Sequence, residues 1–223
     1  MEERYSRNVP AISAEEQAAL AEKRVLVAGC GGLGGNLLEH LARLGVGHIT
    51  AVDGDVFEGS NLNRQILSTP ALLGSGKAAA ARQRAGQITP AVSVTAAAEF
   101  LTEENADRLL AGCDLALDAL DNAPARLCLA EACARQGISL VHGAVQGWSA
   151  QVAVLPPGSE LLGRLYAGAA EPREKTVLPF TAAFCASVQA AEAVKLLCGQ
   201  ASALEGRLLL ADLQHMDWET LTI

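Results

Sequence analysis

The chain has 223 residues, half of them hydrophobic and only 4% aromatic, and carries a formal charge of −8 at neutral pH. That acidic balance excludes sequence-independent nucleic-acid binding, which needs a basic surface to neutralise phosphates. A polar N-terminus, with apolar stretches broken by Pro, Ser, Thr or Gln, predicts neither a signal peptide nor a membrane span, so the expected compartment is the cytoplasm.

In chain order, Ser13-Ala-Glu-Glu reads as a helix start, and Arg24 to Ala28 (RVLVA) is a short apolar run ending at glycines, the pattern of a buried parallel strand. From Leu33 onward, Leu37, Leu38, Leu41 and Leu44 recur at helical spacing, with Gly45 at the C-terminal cap position. Gly47 to Asp53 supplies the next strand and completes a right-handed βαβ unit. Alternation continues with a helix at Lys77 to Ile88, a strand at Ala91 to Ala97, a helix at Glu103 to Leu110, a strand at Leu115 to Leu120 and a helix at Pro124 to Gln136. A strand at Ile138 to His142 and a second in AQVAVLPPG follow, and Pro156 to Pro179 reads as a long crossing loop, a candidate lid. A helix at Phe180 to Cys198 precedes two final strands, GRLLLAD and MDWETLTI. The fold class is α/β, a Rossmann-like doubly wound sheet, mostly parallel with antiparallel C-terminal strands, in a single domain over residues 1–223.

Gly29-Cys-Gly31-Gly32-Leu-Gly34 is G-x-G-x-x-G directly after a strand and opening a helix. Glycines there let backbone N–H groups approach a phosphate, and the helix N-terminus adds positive potential. The same glycines also serve tight strand-to-helix packing. Asp53, about twenty residues further on at a strand end, suits a ribose hydroxyl, which ATP and NAD share. Arg64 and Lys77 are cations after a loop and at a helix start, within range of phosphates. Asp121 falls just past an apolar strand, at the carboxyl end of the sheet where open α/β folds bind ligands; an acid there suits Mg²⁺, and Asp121-Asn122 also suits a helix cap before Pro124.

Several ordered motifs together resemble the ubiquitin-activating-enzyme-like adenylyltransferases of the ThiF, MoeB and HesA branch. They are Arg4-Tyr-Ser-Arg7, the glycine loop, Ser60-Asn61-Leu-Asn-Arg64-Gln65 after a D-x-D strand end, Gly76-Lys77, Asp118-Ala-Leu-Asp121-Asn122 followed by Arg126, and the Ser187 to Lys195 helix. The resemblance implies ATP and Mg²⁺ as cofactors. Asp121 would bind the metal, Asp53 the ribose, and Asn61, Arg64, Gln65 and Lys77 the triphosphate. Arg7 would reach the phosphates of a neighbouring subunit, which requires a homodimer. The implied partner is a ubiquitin-like sulfur carrier protein ending in Gly-Gly, whose C-terminal carboxylate becomes an acyl-adenylate with release of pyrophosphate in thiamine, molybdopterin or related sulfur metabolism.

The chain departs from that pattern in three ways, the first being Asn8 where Gln usually follows the second Arg of the N-terminal motif. The C-x-x-C pairs that bind structural zinc in many relatives are missing, so no zinc is expected, and the six cysteines read as free thiols. The crossing loop holds no cysteine, so no thioester is expected, and Cys185 lies in an apolar helix pattern that suits packing. His142 and His215 receive no catalytic role, because a carboxylate nucleophile is already ionised. Trp148 and Trp218 suit packing or carrier docking. The alternatives are an NAD(P)-dependent oxidoreductase on the same βαβ unit and a family member that binds nucleotide without catalysis. A dehydratase acting on modified tRNA does not fit the acidic balance.

Overall fold

The structure, a computed structural model, describes residues 2–168 and 176–222. Its first helix, α1 (Ala14–Leu20), begins with a capping box in which the Ser13 hydroxyl accepts from the Glu16 amide and the Glu16 carboxylate accepts from the Ser13 amide. Two donors that the first turn leaves orphaned are thereby satisfied. Strand β1 (Arg24–Ala28) leads through the glycine turn into α2 (Gly32–Leu44), which ends at Gly45 in the left-handed conformation, φ 82°. The Tyr5 ring packs there: a Cβ added to Gly45 would lie 2.7 Å from it.

The alternation proceeds through β2 (His48–Val52), α3 (Lys77–Ile88), β3 (Ser93–Ala97), α4 (Glu103–Leu110), β4 (Leu115–Asp118) and α5 (Ala123–Gln136). Then come β5 (Ser139–Gln146), β6 (Ser149–Leu155), α6 (Leu161–Tyr166), α7 (Pro179–Leu197), β7 (Arg207–Asp212) and β8 (Asp217–Thr222). The strands form one sheet in the order β3-β2-β1-β4-β5-β6-β7-β8. The first five are parallel and the last three pair antiparallel, as the sequence predicts. The order reverses at β1, between β2 and β4, which opens a crevice at the carboxyl ends of those strands.

Both faces of the central strands are buried. Val25 and Val27 of β1 join one apolar cluster with α2 and α7, while Leu26 and Ala28 join the other with α4 and α5. The near-continuous apolar strands of the sequence have this cause. α7 is long and apolar enough to cross a membrane, but half of it is buried inside the fold, where it packs on α2, β5 and β6.

Beyond shifts of a residue or two, three features differ from the sequence reading. β4 stops at Asp118 rather than Leu120, because the Asp118 side chain turns back to accept from the Leu120 amide. β5 runs on to Gln146, since seven of its residues ladder with β6. The expected crossing loop contains α6, whose Leu161 and Leu162 are buried; the neighbouring Pro and Gly obscure that short apolar pattern. The part of the expected loop at 169–175 lies outside the described residues.

Candidate active site

A cavity of about 1370 Å³ opens at the carboxyl ends of β1, β2 and β4. Gly29, Gly31, Gly32, Asp53, Asn61, Arg64, Gln65, Lys77 and Asp121 all line it. Of the other expected residues, Gly34 sits behind the wall, where an added Cβ would lie 1.7 Å from the Gly29 carbonyl oxygen. Arg7 is exposed and outside the cavity lining.

The glycine turn is held from two sides. Gly29 has φ 95°, and a Cβ there would lie 2.6 Å from the Ala119 oxygen, so the turn abuts the loop after β4. On the other side the Asp53 carboxylate accepts from the Cys30 amide at 2.8 Å and from the Asp55 amide at 2.8 Å. Burial pushes the Asp53 carboxyl above its ordinary range despite those two bonds. Its remaining lone pairs are available to a hydroxyl.

Lys77 opens α3 and is buried, with Nζ 3.0 Å from the Asp55 carboxylate. Arg64 donates through Nη1 to the Ser60 oxygen at 2.8 Å and to Asn63 Oδ1 at 2.9 Å. Among the described residues its other donors have no protein acceptor. Asn61 uses its Oδ1 to cap its own turn, accepting from the Glu58 amide at 3.0 Å. Gln65 is buried beside Gly31, and among the described residues its Oε1 has no protein partner. A buried acceptor left bare costs free energy that a bound ligand or water recovers.

Asp121 is exposed in the loop between β4 and α5, and Asn122 caps α5 by accepting from the Ala125 amide. One helix N-terminus, two cations and a carboxylate at a single cavity can hold a polyanion together with its metal. Cys185, by contrast, is buried on α7 with its thiol pushed up to about 12 by desolvation, which suits packing and not nucleophilic attack.

Sequence reasoning missed a buried polar network beneath Asp121. His142 and Asp118 are fully buried, with Nδ1 2.6 Å from the carboxylate, and Arg126, Gln151 and Tyr166 adjoin them. The available signal was an Asp closing one apolar strand and a His within the next, positions that the β4–β5 register pairs.

The ThiF family model matches residues 5–223. The chain belongs to the ThiF family. Within it, the chain is similar to the SAMP-activating enzyme E1 of Haloferax volcanii, 37% identical over 229 residues that cover 98% of this chain and 84% of that protein. It is equally similar to the sulfur carrier protein adenylyltransferase of Thermus thermophilus, 37% identical over 238 residues that cover 99% and 87%. A crystal structure of Escherichia coli MccB with ATP superposes with a TM-score of 0.83 at 19% identity, over 100% of this chain and 72% of that one. This ThiF member therefore shares the fold of MccB.

Proposed function

We propose that this protein is an ATP-dependent adenylyltransferase that activates the C-terminal carboxylate of a ubiquitin-like sulfur carrier ending in Gly-Gly, in the cytoplasm, as one domain that works as a homodimer. The observation that carries the reading is the meeting of the glycine turn, Asp53, Arg64, Gln65, Lys77 and Asp121 at one cavity, in a family whose members at 37% identity are named for carrier activation. Those relatives also tell against the oxidoreductase alternative.

The residues fit a magnesium ion that arrives with its nucleotide. Among the described residues no three or more His, Cys, Asp or Glu side chains gather as a metal site. Mg²⁺ is ordinarily held by one or two carboxylates plus substrate phosphates and water, and Asp121 supplies such a carboxylate. When bound, the ion supplies charge neutralisation at the phosphates.

In this reading Asp53 takes the ribose, and the amides opening α2 face the phosphates. Arg64 offers its unpaired donors to the phosphate oxygens, while Lys77 shares its ammonium between Asp55 and the nucleotide. A carboxylate oxygen of the carrier attacks the α-phosphorus, the bond to the β-phosphate oxygen breaks, and pyrophosphate leaves. No base is required, because the nucleophile is already ionised. The protein's contribution is orientation and fixed positive charge where negative charge builds up.

Carrier-dependent ATP–pyrophosphate exchange tests the reading. The wild type should exchange only with an intact Gly-Gly tail, and Asp121→Ala should lower the rate by roughly 100-fold or more while keeping the wild-type thermal midpoint. ATP binding without exchange on any carrier encoded beside the gene would instead identify a non-catalytic binder.

A further inference from the structure

The loop that presents Asp121 is held more firmly than a helix start demands. The Leu120 amide donates to Asp118 Oδ1 at 2.9 Å, and the Leu120 oxygen accepts from Arg126 Nε at 3.2 Å and Nη2 at 2.6 Å. Both sides of Leu120 are thus pinned, one residue before the carboxylate. Asn122 alone already caps α5, so these further bonds act on the peptide and not on the helix.

The groups that pin it are themselves held from beneath. Asp118 Oδ2 meets His142 Nδ1 at 2.6 Å, and His142 Nε2 lies 3.0 Å from Gln151 Nε2 and 3.3 Å from the Tyr166 hydroxyl. With the Gln151 amide donating, His142 accepts at Nε2 and donates Nδ1–H to Asp118. The Tyr166 hydroxyl also accepts from Arg126 Nη1 and from Gln151 Nε2 at 3.0 Å. A buried carboxylate and guanidinium are costly unless every partner is in place, so loss of one member is felt at the others. Tyr166 is the last residue of α6 and lines the cavity. The network therefore ties the crossing segment to the loop carrying Asp121.

We propose that Tyr166 and His142 are positioning residues, which act through Arg126 and Asp118 on the Leu120–Asp121 peptide and so fix where the Asp121 carboxylate stands. The role of Asp121 toward Mg²⁺ rests on the function proposed above; the holding of the peptide does not. Tyr166→Phe isolates the hydroxyl, because the ring can keep its place over the Arg126 guanidinium, 5.4 Å from the centroid.

Amide hydrogen exchange on the nucleotide-free protein reads the peptide directly. In Y166F the Leu120 amide should exchange about three- to ten-fold faster, the effect of one lost hydrogen bond, while amides of the central strands keep their wild-type rates. Arg126→Lys retains charge but cannot donate twice to the Leu120 oxygen, and should loosen the same segment further. In pyrophosphate exchange, the Mg²⁺ concentration at half-maximal rate should rise in Y166F by more than any fall in the rate at saturation. Unaltered exchange at Leu120 in both variants overturns the proposal, as does a loosened loop whose Mg²⁺ requirement stays at the wild-type value. A wild type inactive with every carrier defeats the functional reading, and the amide result then still decides whether the network holds the loop.

Discussion

At Gly34 the side chain is absent for a steric reason that no nucleotide enters. A Cβ there would stand 1.7 Å from the Gly29 backbone oxygen, which cannot move without opening the turn that meets Ala119. Gly31 differs, since its added Cβ would come no nearer than 3.5 Å to Gln65 Nε2, an ordinary contact. Gly34→Ala should therefore destabilise the fold by about 1–3 kcal/mol, a fall of several degrees in thermal midpoint for a domain of this size, and lose ATP affinity with it. Gly31→Ala should hold its midpoint and weaken ATP alone, because only the approach of a phosphate is obstructed. Melting curves paired with ATP titrations separate the two, and equal midpoints would refute the packing role of Gly34. The sequence motif groups these glycines together; only the backbone geometry assigns them different tasks.

At the scale of elements, legibility followed the source of each element's stability. β1, α2 and α3 are fixed by apolar periodicity and by glycine at their ends, signals local to the chain, and their expected ranges hold to within a residue or two. The end of β4, the extension of β5 and the existence of α6 depend on partners distant in sequence: Asp118 on Leu120, β6 on β5, and the sheet under Leu162. The cavity residues were likewise legible one by one from their motifs. The Asp118–His142 pair was not, because a His on an apolar strand carries no sign of what it faces until the register is known.

The turn between β7 and β8 offers a test at the same scale. His215 Nδ1 lies 2.8 Å from the Asp212 carboxylate, and this contact raises the imidazole pKa above its ordinary value while holding Asp212 below its own. A raised histidine stabilises the folded state below the unfolded pKa near 6.5, and that contribution is lost as pH climbs through the folded value. A depressed aspartate contributes above its unfolded pKa near 3.8 and loses that as pH falls through the folded value. The turn should be firmest between the two. An NMR titration should find His215 above 6.5 in the wild type and back near it in Asp212→Asn; equal values in the two proteins would break the assignment.

For the whole molecule the residue to test is Arg7, which stands at the far end of α2 from the glycine turn. Its neighbour Tyr5 is buried against Gly45, and Asn8 is tied through Gln17 to the Leu44 oxygen, so the segment is fixed at the C-terminus of α2. The glycine turn lies at the other end of that 13-residue helix, about 20 Å away at 1.5 Å per residue, farther than an arginine side chain extends. A role for Arg7 at the phosphates therefore demands a second copy whose cavity it faces, and a two-fold dimer supplies two such sites. The consequence is complementation between two dead proteins. Arg7→Ala and Asp121→Ala homodimers should each lose most of their exchange activity. A purified heterodimer of the two has one site with both residues intact and one with neither, so it should recover about half the wild-type rate. Sedimentation of the wild type as a monomer, or a heterodimer as inactive as its parents, would remove Arg7 from the site.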